Sequence, residues 1–179
     1  TVYFTADSHF GHAGVIRLSN RPFASVQEMD EALIARWNER VEPSDEVYHL
    51  GDFCFKGSKR AAAVLERLNG QITLIRGNHD SVNTGKLERW IGVHDLLVVN
   101  VDQTRVVLCH YPLLEWPGAF RGSFHLHGHT HGAIEPNARR CDVGADVWDC
   151  RPVTLAEIKV RLNDAPEYHP TQFYSESRQ

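Results

Sequence analysis

The sequence predicts an α/β fold in which polar, ligand-bearing loops follow apolar strands, and three observations predict it. A run of apolar residues at helical spacing follows a capping signal at Ser25. Short apolar runs of strand length recur from Val2 onward. Clusters of Asp, Asn and His stand directly after those runs, at the strand edge where open α/β sheets bind ligands. The length of 179 residues and an apolar fraction of 42% suit a single domain, 1–179, whose core needs no disulfides.

The elements follow in chain order. Val2-Tyr3-Phe4-Thr5 reads as a strand that stops at Ala6-Asp7-Ser8-His9. Ser25 followed by Glu28 has the capping-box pattern. Val26, Met29, Leu33, Trp37 and Val41 then recur at helical spacing, so a helix is expected from about Val26 to Arg40. Glu46 to Leu50 is a strand running into Gly51-Asp52. Lys59 to Leu68 is expected to be helical, stopped by Asn69-Gly70. Ile72 to Ile75 is a buried strand that ends at Arg76-Gly77-Asn78-His79-Asp80. Leu96 to Val101 and Arg105 to Cys109, joined by Asp102-Gln103-Thr104, form a hairpin that leads into His110. Phe124 to His127 is a strand ending at Gly128-His129-Thr130-His131. Val143 to Val153 is expected to contain strand, and Thr154 with Glu157 to cap a short helix through Leu162. The polar segment 163–179 reads as a poorly ordered tail.

Composition excludes some functions. A formal net charge of −4 argues against a dedicated duplex-DNA binder, which would carry a broad basic face. No apolar run is long enough to span a membrane, and no basic-then-apolar signal opens the chain. Cys54, Cys109, Cys141 and Cys150 form no C-x-x-C pair and read as free thiols of a reducing, cytoplasmic compartment. The 11 histidines stand out, because four of them alternate from His125 to His131 and neutral histidine is the commonest metal ligand.

Five polar blocks each close a strand: Asp7-x-His9, Gly51-Asp52, Gly77-Asn78-His79-Asp80, His110 and Gly128-His129-x-His131. Singly, each has a plain reading as a turn, a cap or solvated surface. Jointly they supply Asp7, His9, Asp52, Asn78, His110, His129 and His131 beside His79 and Asp80, and burying so many polar groups without a cation would be costly. Glycines beside them let the backbone turn sharply.

This set resembles the calcineurin-like metallophosphoesterase family, whose pattern is D-x-H, G-D, G-N-H-D/E, H and G-H-x-H. All five blocks are present between Asp7 and His131, and the segments Asp7 to His12 and Tyr48 to Phe53 look like its compact microbial and phage branch. The resemblance implies two packed mixed β-sheets flanked by helices, an αββα sandwich. It implies Asp7, His9 and His131 on one divalent ion, Asn78, His110 and His129 on a second, and Asp52 bridging them. Two dications about 3.5–4 Å apart need such a shared anion. The N and O donor set suits manganese first, with iron, zinc, nickel or cobalt as alternatives.

The resemblance further implies hydrolysis of a phosphate ester by a hydroxide bridging the ions. His79 would be the general acid, Asp80 would support its imidazolium, and the Asn78 amide would stabilise phosphoryl charge. The expected substrate is a small phosphate ester, nucleotides included, with a diester favoured over a monoester because few basic residues are on hand for a dianion. A nuclease of the same superfamily and a non-catalytic scaffold on the same fold are the alternatives. His12 and Arg76 are expected to touch substrate phosphate, with Arg21 and Arg121 as weaker candidates. His49, His125 and His127 are expected in core or supporting roles, Cys54 as an inert buried thiol, and Trp116 either walling the site or packing its own loop.

Overall fold

The structure, a computed structural model, describes residues 1–55 and 57–169. The chain order is β1 (Val2–Thr5), α1 (Ala13–Leu18), α2 (Val26–Asn38), β2 (Glu46–His49), α3 (Ser58–Leu65), β3 (Gln71–Ile75), α4 (Val82–Gly85), β4 (Gly92–His94), β5 (Leu96–Val101), β6 (Thr104–Cys109), β7 (Phe124–His127), β8 (Arg140–Asp142), β9 (Val153–Thr154) and α5 (Leu155–Leu162). The strands form two mixed sheets, one ordered β4-β3-β2-β1-β9 and the other β5-β6-β7-β8. In the first, β1 to β4 are parallel and β9 runs antiparallel to β1. In the second, β5 and β6 form the expected antiparallel hairpin, and β7 and β8 continue in parallel.

Strand alternation divides the apolar residues between two cores. Tyr3, Val47, Ile72 and Leu74 face a layer of helices that contributes Val15, Met29, Leu33, Trp37 and Leu65. Phe4, Leu50 and Ile75 face the second sheet, which contributes Val106, Leu108 and Leu126, with Ile158 and Leu162 of α5 filling the side. The other face of the second sheet is covered by the loop after β6, where Trp116 and Ala119 pack on Val107. Trp116 thus packs its own loop. Its ring meets Tyr168 at 4.5 Å, and its indole N–H donates to Ser123 O.

Helix α2 starts where the capping signal places it, with Glu28 N–H donating to Ser25 Oγ at 3.1 Å. Thr154 and Glu157 form a full capping box at α5. The segment Val143 to Val153 contains strand, as expected, but only at its end. Its only strand residue is Val153, in β9, because the chain has already paired with β7 through Arg140–Asp142 and then turns. The start of the tail departs from expectation, since Ala138 N–H donates to Pro166 O at 2.7 Å and the Tyr168 ring packs at a tilt against Trp116. The remainder of the tail, 170–179, lies outside the described residues. Among the described residues no helix is long and apolar enough to cross a membrane.

Candidate metal centre

All five ligand blocks arrive at one edge because β1, β2, β3, β6 and β7 end there. The loops after β1 and β2 run side by side. Asp7 N–H donates to Gly51 O, His9 N–H to Asp52 O and Phe10 N–H to Phe53 O, at 2.9, 2.9 and 3.0 Å. Asp7, His9, Asp52, His129 and His131 all adopt left-handed backbone, with φ between 48° and 70°. Residues other than glycine hold such conformations at a cost of about 1–3 kcal/mol each, and their concentration here marks a functional site.

The side chains gather into two groups. Asp7, His9 and His131 offer donor atoms within 4.8 Å of one another, and so do Asp52, His110 and His129. The groups adjoin through Asp52, whose Oδ2 lies 3.6 Å from both His9 Nε2 and His110 Nε2. Asn78 Oδ1 lies 3.1 Å from His110 Nε2, which adds the amide to the second group.

The donor chemistry fits divalent cations. Asp7 Oδ1 and both ring nitrogens of His9 are buried without a hydrogen-bond partner, an expensive arrangement unless a cation is to be met. Burial, reinforced by the charges of Asp142 and Asp52, pushes the Asp7 carboxyl well above the usual range. Burial, helped by the neighbouring His131 and Arg21, brings His9 down to about 2, so its ring is neutral and its lone pair available. Burial also lowers His110, and its Nδ1 donates to Leu50 O at 2.7 Å. Its Nε2 is then a bare acceptor facing two more acceptors, Asp52 Oδ2 and Asn78 Oδ1. A cation reconciles three converging lone pairs; a proton cannot serve them all.

His79 sits at the mouth. Its backbone N–H donates to Asp52 Oδ1 at 2.8 Å, its ring Nε2 is 3.9 Å from Asp52 Oδ2, and its side chain is 42% exposed. His12 lies beside it, its ring stacked on Phe55 at 3.9 Å and 5.4 Å from that of His9. Tyr111 flanks the other side, 4.9 Å from the His129 ring and 44% exposed.

Two expectations need correction. Asp80 does not support the His79 ring. Its carboxylate accepts from the backbone N–H groups of Asp52, Phe53 and Gly77 at 2.8, 2.9 and 2.9 Å, clasping the β2 and β3 loops together. Arg76 is not aimed at a substrate. It forms a bidentate pair with Asp95, at 2.9 and 2.7 Å, on the neighbouring strand's exit. Arg21, a weaker candidate, is buried and bound to Asp146.

The supporting histidines stand where alternation puts them. His125 donates from Nδ1 to Val107 O and accepts from Leu113 N–H at Nε2, tying the loop after β6 to the sheet. His127 Nδ1 donates to Gly128 O, and His49 Nε2 meets Ser8 Oγ at 2.8 Å. Burial pushes the Cys54 thiol up to about 12, which leaves it inert.

One residue escaped sequence reasoning. Asp146 Oδ2 lies 2.6 Å from His131 Nδ1. The only hint was Asp142-Val143-Gly144-Ala145-Asp146, an Asp and Gly run with no apolar stretch before it to mark a block. Glycine matters at two places around the centre. A Cβ on Gly77 would stand 2.2 Å from Asp52 Oδ1, and one on Gly128 would stand 2.6 Å from Asp7 Oδ2.

Comparison with known proteins agrees with this geometry. The chain is 34% identical over 170 residues to the uncharacterised protein MJ1445 of Methanocaldococcus jannaschii, covering 90% of each chain. It is 31% identical over 198 residues to the gene 66 protein of Mycobacterium phage D29, covering 93% of this chain and 98% of that one. The fold superposes on the crystal structure of AQ665 from Aquifex aeolicus, a protein of unknown function, with a TM-score of 0.70 at 22% identity, over 89% of this chain and 98% of that one. Residues 2–143 match the calcineurin-like phosphoesterase superfamily domain. The chain therefore belongs to the calcineurin-like phosphoesterase superfamily, a family of metal-dependent phosphoesterases.

Proposed function

We propose that this phosphoesterase works with two divalent cations, manganese first among them, and hydrolyses small phosphodiesters in preference to monoesters. Asp7, His9 and His131 would hold one ion, Asn78, His110 and His129 the other, with Asp52 shared. The observation that carries this reading is the position of Asp52 Oδ2, 3.6 Å from a ligand nitrogen of each group. A carboxylate shared between two sets of donors is what neighbouring dications require. Iron, zinc, nickel and cobalt suit the same donors. Bound there, the ions would supply polarisation of the phosphoryl oxygens and acidification of water.

The chain's own residues do the remaining work. His79, exposed at the mouth, delivers a proton from its ring to the leaving-group oxygen. The ring's Nε2, 3.9 Å from Asp52 Oδ2, stands at the centre where the scissile ester would be held. Asn78 can turn its amide N–H toward a phosphoryl oxygen, and His12, seated on Phe55, is placed to do the same. Arg21 is buried and committed to Asp146, which removes it from gripping a dianionic monoester and favours a monoanionic diester. Four free buried thiols suit a reducing cytoplasm.

The test is metal-stripped protein reloaded with Mn²⁺ and assayed on bis-p-nitrophenyl phosphate, p-nitrophenyl phosphate and short oligonucleotides. Close to two ions per chain at full activity, and a higher kcat/KM on the diester, are expected. Full activity at one ion per chain would sink the two-ion reading. Preference for the monoester would overturn the substrate assignment.

A further inference from the structure

The Asp7, His9 and His131 group is backed by a buried ion pair that none of the family's motif blocks contains. Asp146, in the loop after β8, and Arg21, after α1, are 125 residues apart in sequence and meet in a bidentate pair at 2.8 and 2.9 Å. Their side chains are 7% and 1% exposed. A buried ion pair of this kind adds little net stability, because desolvation offsets the attraction. Apart from a contact of Arg21 Nη1 with Met29 Sδ at 3.5 Å, the remaining side-chain hydrogen bonds of the pair go to one metal group. Asp146 Oδ2 accepts from His131 Nδ1 at 2.6 Å. Arg21 donates to the backbone carbonyls of Asp7 and Ser8 at 2.6 and 2.9 Å.

Both contacts bear on ligation. A proton held on His131 Nδ1 by a carboxylate leaves Nε2 as the lone pair for a cation and fixes the ring plane. The Asp7 and Ser8 carbonyls lie between two left-handed residues, Asp7 and His9, in a backbone path that must be held from outside. One guanidinium therefore clamps the loop that carries two ligands while its partner carboxylate aims the third. The second group has a different support, since His110 is oriented by the Leu50 carbonyl.

We propose that the Arg21–Asp146 pair is the positioning unit of the Asp7, His9 and His131 site, so that this site's affinity for a divalent cation depends on the pair and the neighbouring site's does not. The inference rests on the two-ion reading given above. The full chain, stripped of metal, is titrated with Mn²⁺ and bound ions are counted. Wild type should show two binding events. In Asp146→Asn one event should weaken roughly 10–100-fold, the usual effect of removing a carboxylate behind a ligating histidine, while the other stays put. His131→Ala should weaken that same event, and adding Asp146→Asn to it should cost little more, since the two act through one ring. Combined with His129→Ala, Asp146→Asn should weaken both events. Arg21→Lys keeps the charge, loses the fork and should weaken the same single event, which serves if the asparagine variant folds poorly. Equal weakening of both events, or of neither, would mean that the pair is structural or idle and would overturn the proposal. A wild type that binds fewer than two ions would overturn the two-ion reading and this inference with it.

Discussion

Gly77→Ala probes the centre with one methyl group and no change of charge. The backbone at Gly77 is not left-handed, so alanine is compatible with it; the cost lies in what the new Cβ meets. It would sit 2.2 Å from Asp52 Oδ1, 2.5 Å from Asp52 N and 2.9 Å from His110 Cε1. Ordinary contact starts near 3.4 Å, so the Asp52 carboxylate must retreat by about 1 Å. Asp52 cannot do so freely, because Oδ1 is held by His79 N–H and Oδ2 lies between the two ligand groups. Overpacking of this kind costs about 1–3 kcal/mol, and a misplacement of about 1 Å in a catalytic array costs on the order of 10²-fold in rate. Mn²⁺ titration should show weakened uptake, kcat/KM on bis-p-nitrophenyl phosphate should fall by on the order of 10²-fold, and Tm should drop by several degrees. Gly128→Ala, whose Cβ would press on Asp7 Oδ2 and on the Ala6 side chain, should disturb ion uptake as well. A folded Gly77→Ala protein with two ions and unchanged kcat/KM would refute the placement of Asp52 at the heart of the chemistry.

His79→Ala should keep both ions and lose roughly 10²–10⁴-fold on alkyl or nucleoside esters, but clearly less on p-nitrophenyl esters, whose leaving group scarcely needs a proton. Equal losses in side-by-side kcat/KM measurements would remove His79 from proton delivery. His125 is held down to about 4 by burial, so the unfolded chain binds a proton below pH 6.5 that the folded chain refuses. Stability attributable to the neutral ring is therefore lost as pH falls from 6.5 toward 4, by about 1.4 kcal/mol per pH unit. His125→Gln should start less stable and lose less over that range in urea melts, and parallel pH profiles for the two proteins would contradict this. Chelation should abolish activity reversibly and lower Tm, because ions that bind only the folded chain stabilise it; an unchanged Tm in a chelator would count against an ion-dependent centre.

The parts of the site legible in sequence are those in which a strand and its ligand block are contiguous. Val2–Thr5, Glu46–His49, Gln71–Ile75, Thr104–Cys109 and Phe124–His127 are apolar enough to be seen, and each hands directly on to a block. Strand β8 is not visible because Arg140, Cys141 and Asp142 offer no apolar run; pairing with β7 makes it a strand. Asp146 belongs to the same blind region, and its partners Arg21 and His131 become neighbours only when both sheets are assembled. Arg76 misled through adjacency. It precedes Asn78 by two residues, yet parallel pairing of β3 with β4 brings Asp95 within its reach instead. Asp80 misled in a similar way, because a carboxylate one residue from His79 is closer in sequence to that ring than to the three amides it serves.

Each group of donors draws on both sheets. Asp7 and His9 leave β1 and His131 follows β7, while Asp52 leaves β2 and His110 and His129 follow β6 and β7. An ion in either position would rivet one sheet to the other at the open end of the seam that Phe4, Leu50, Ile75, Leu108 and Leu126 close from within. Affinity for metal then belongs to the sandwich as a whole. Any change that lets the sheets slide or splay, even deep in that apolar seam, would be felt at the centre as altered ion affinity, and the relative set of the two sheets becomes a dial for how tightly the ions are held.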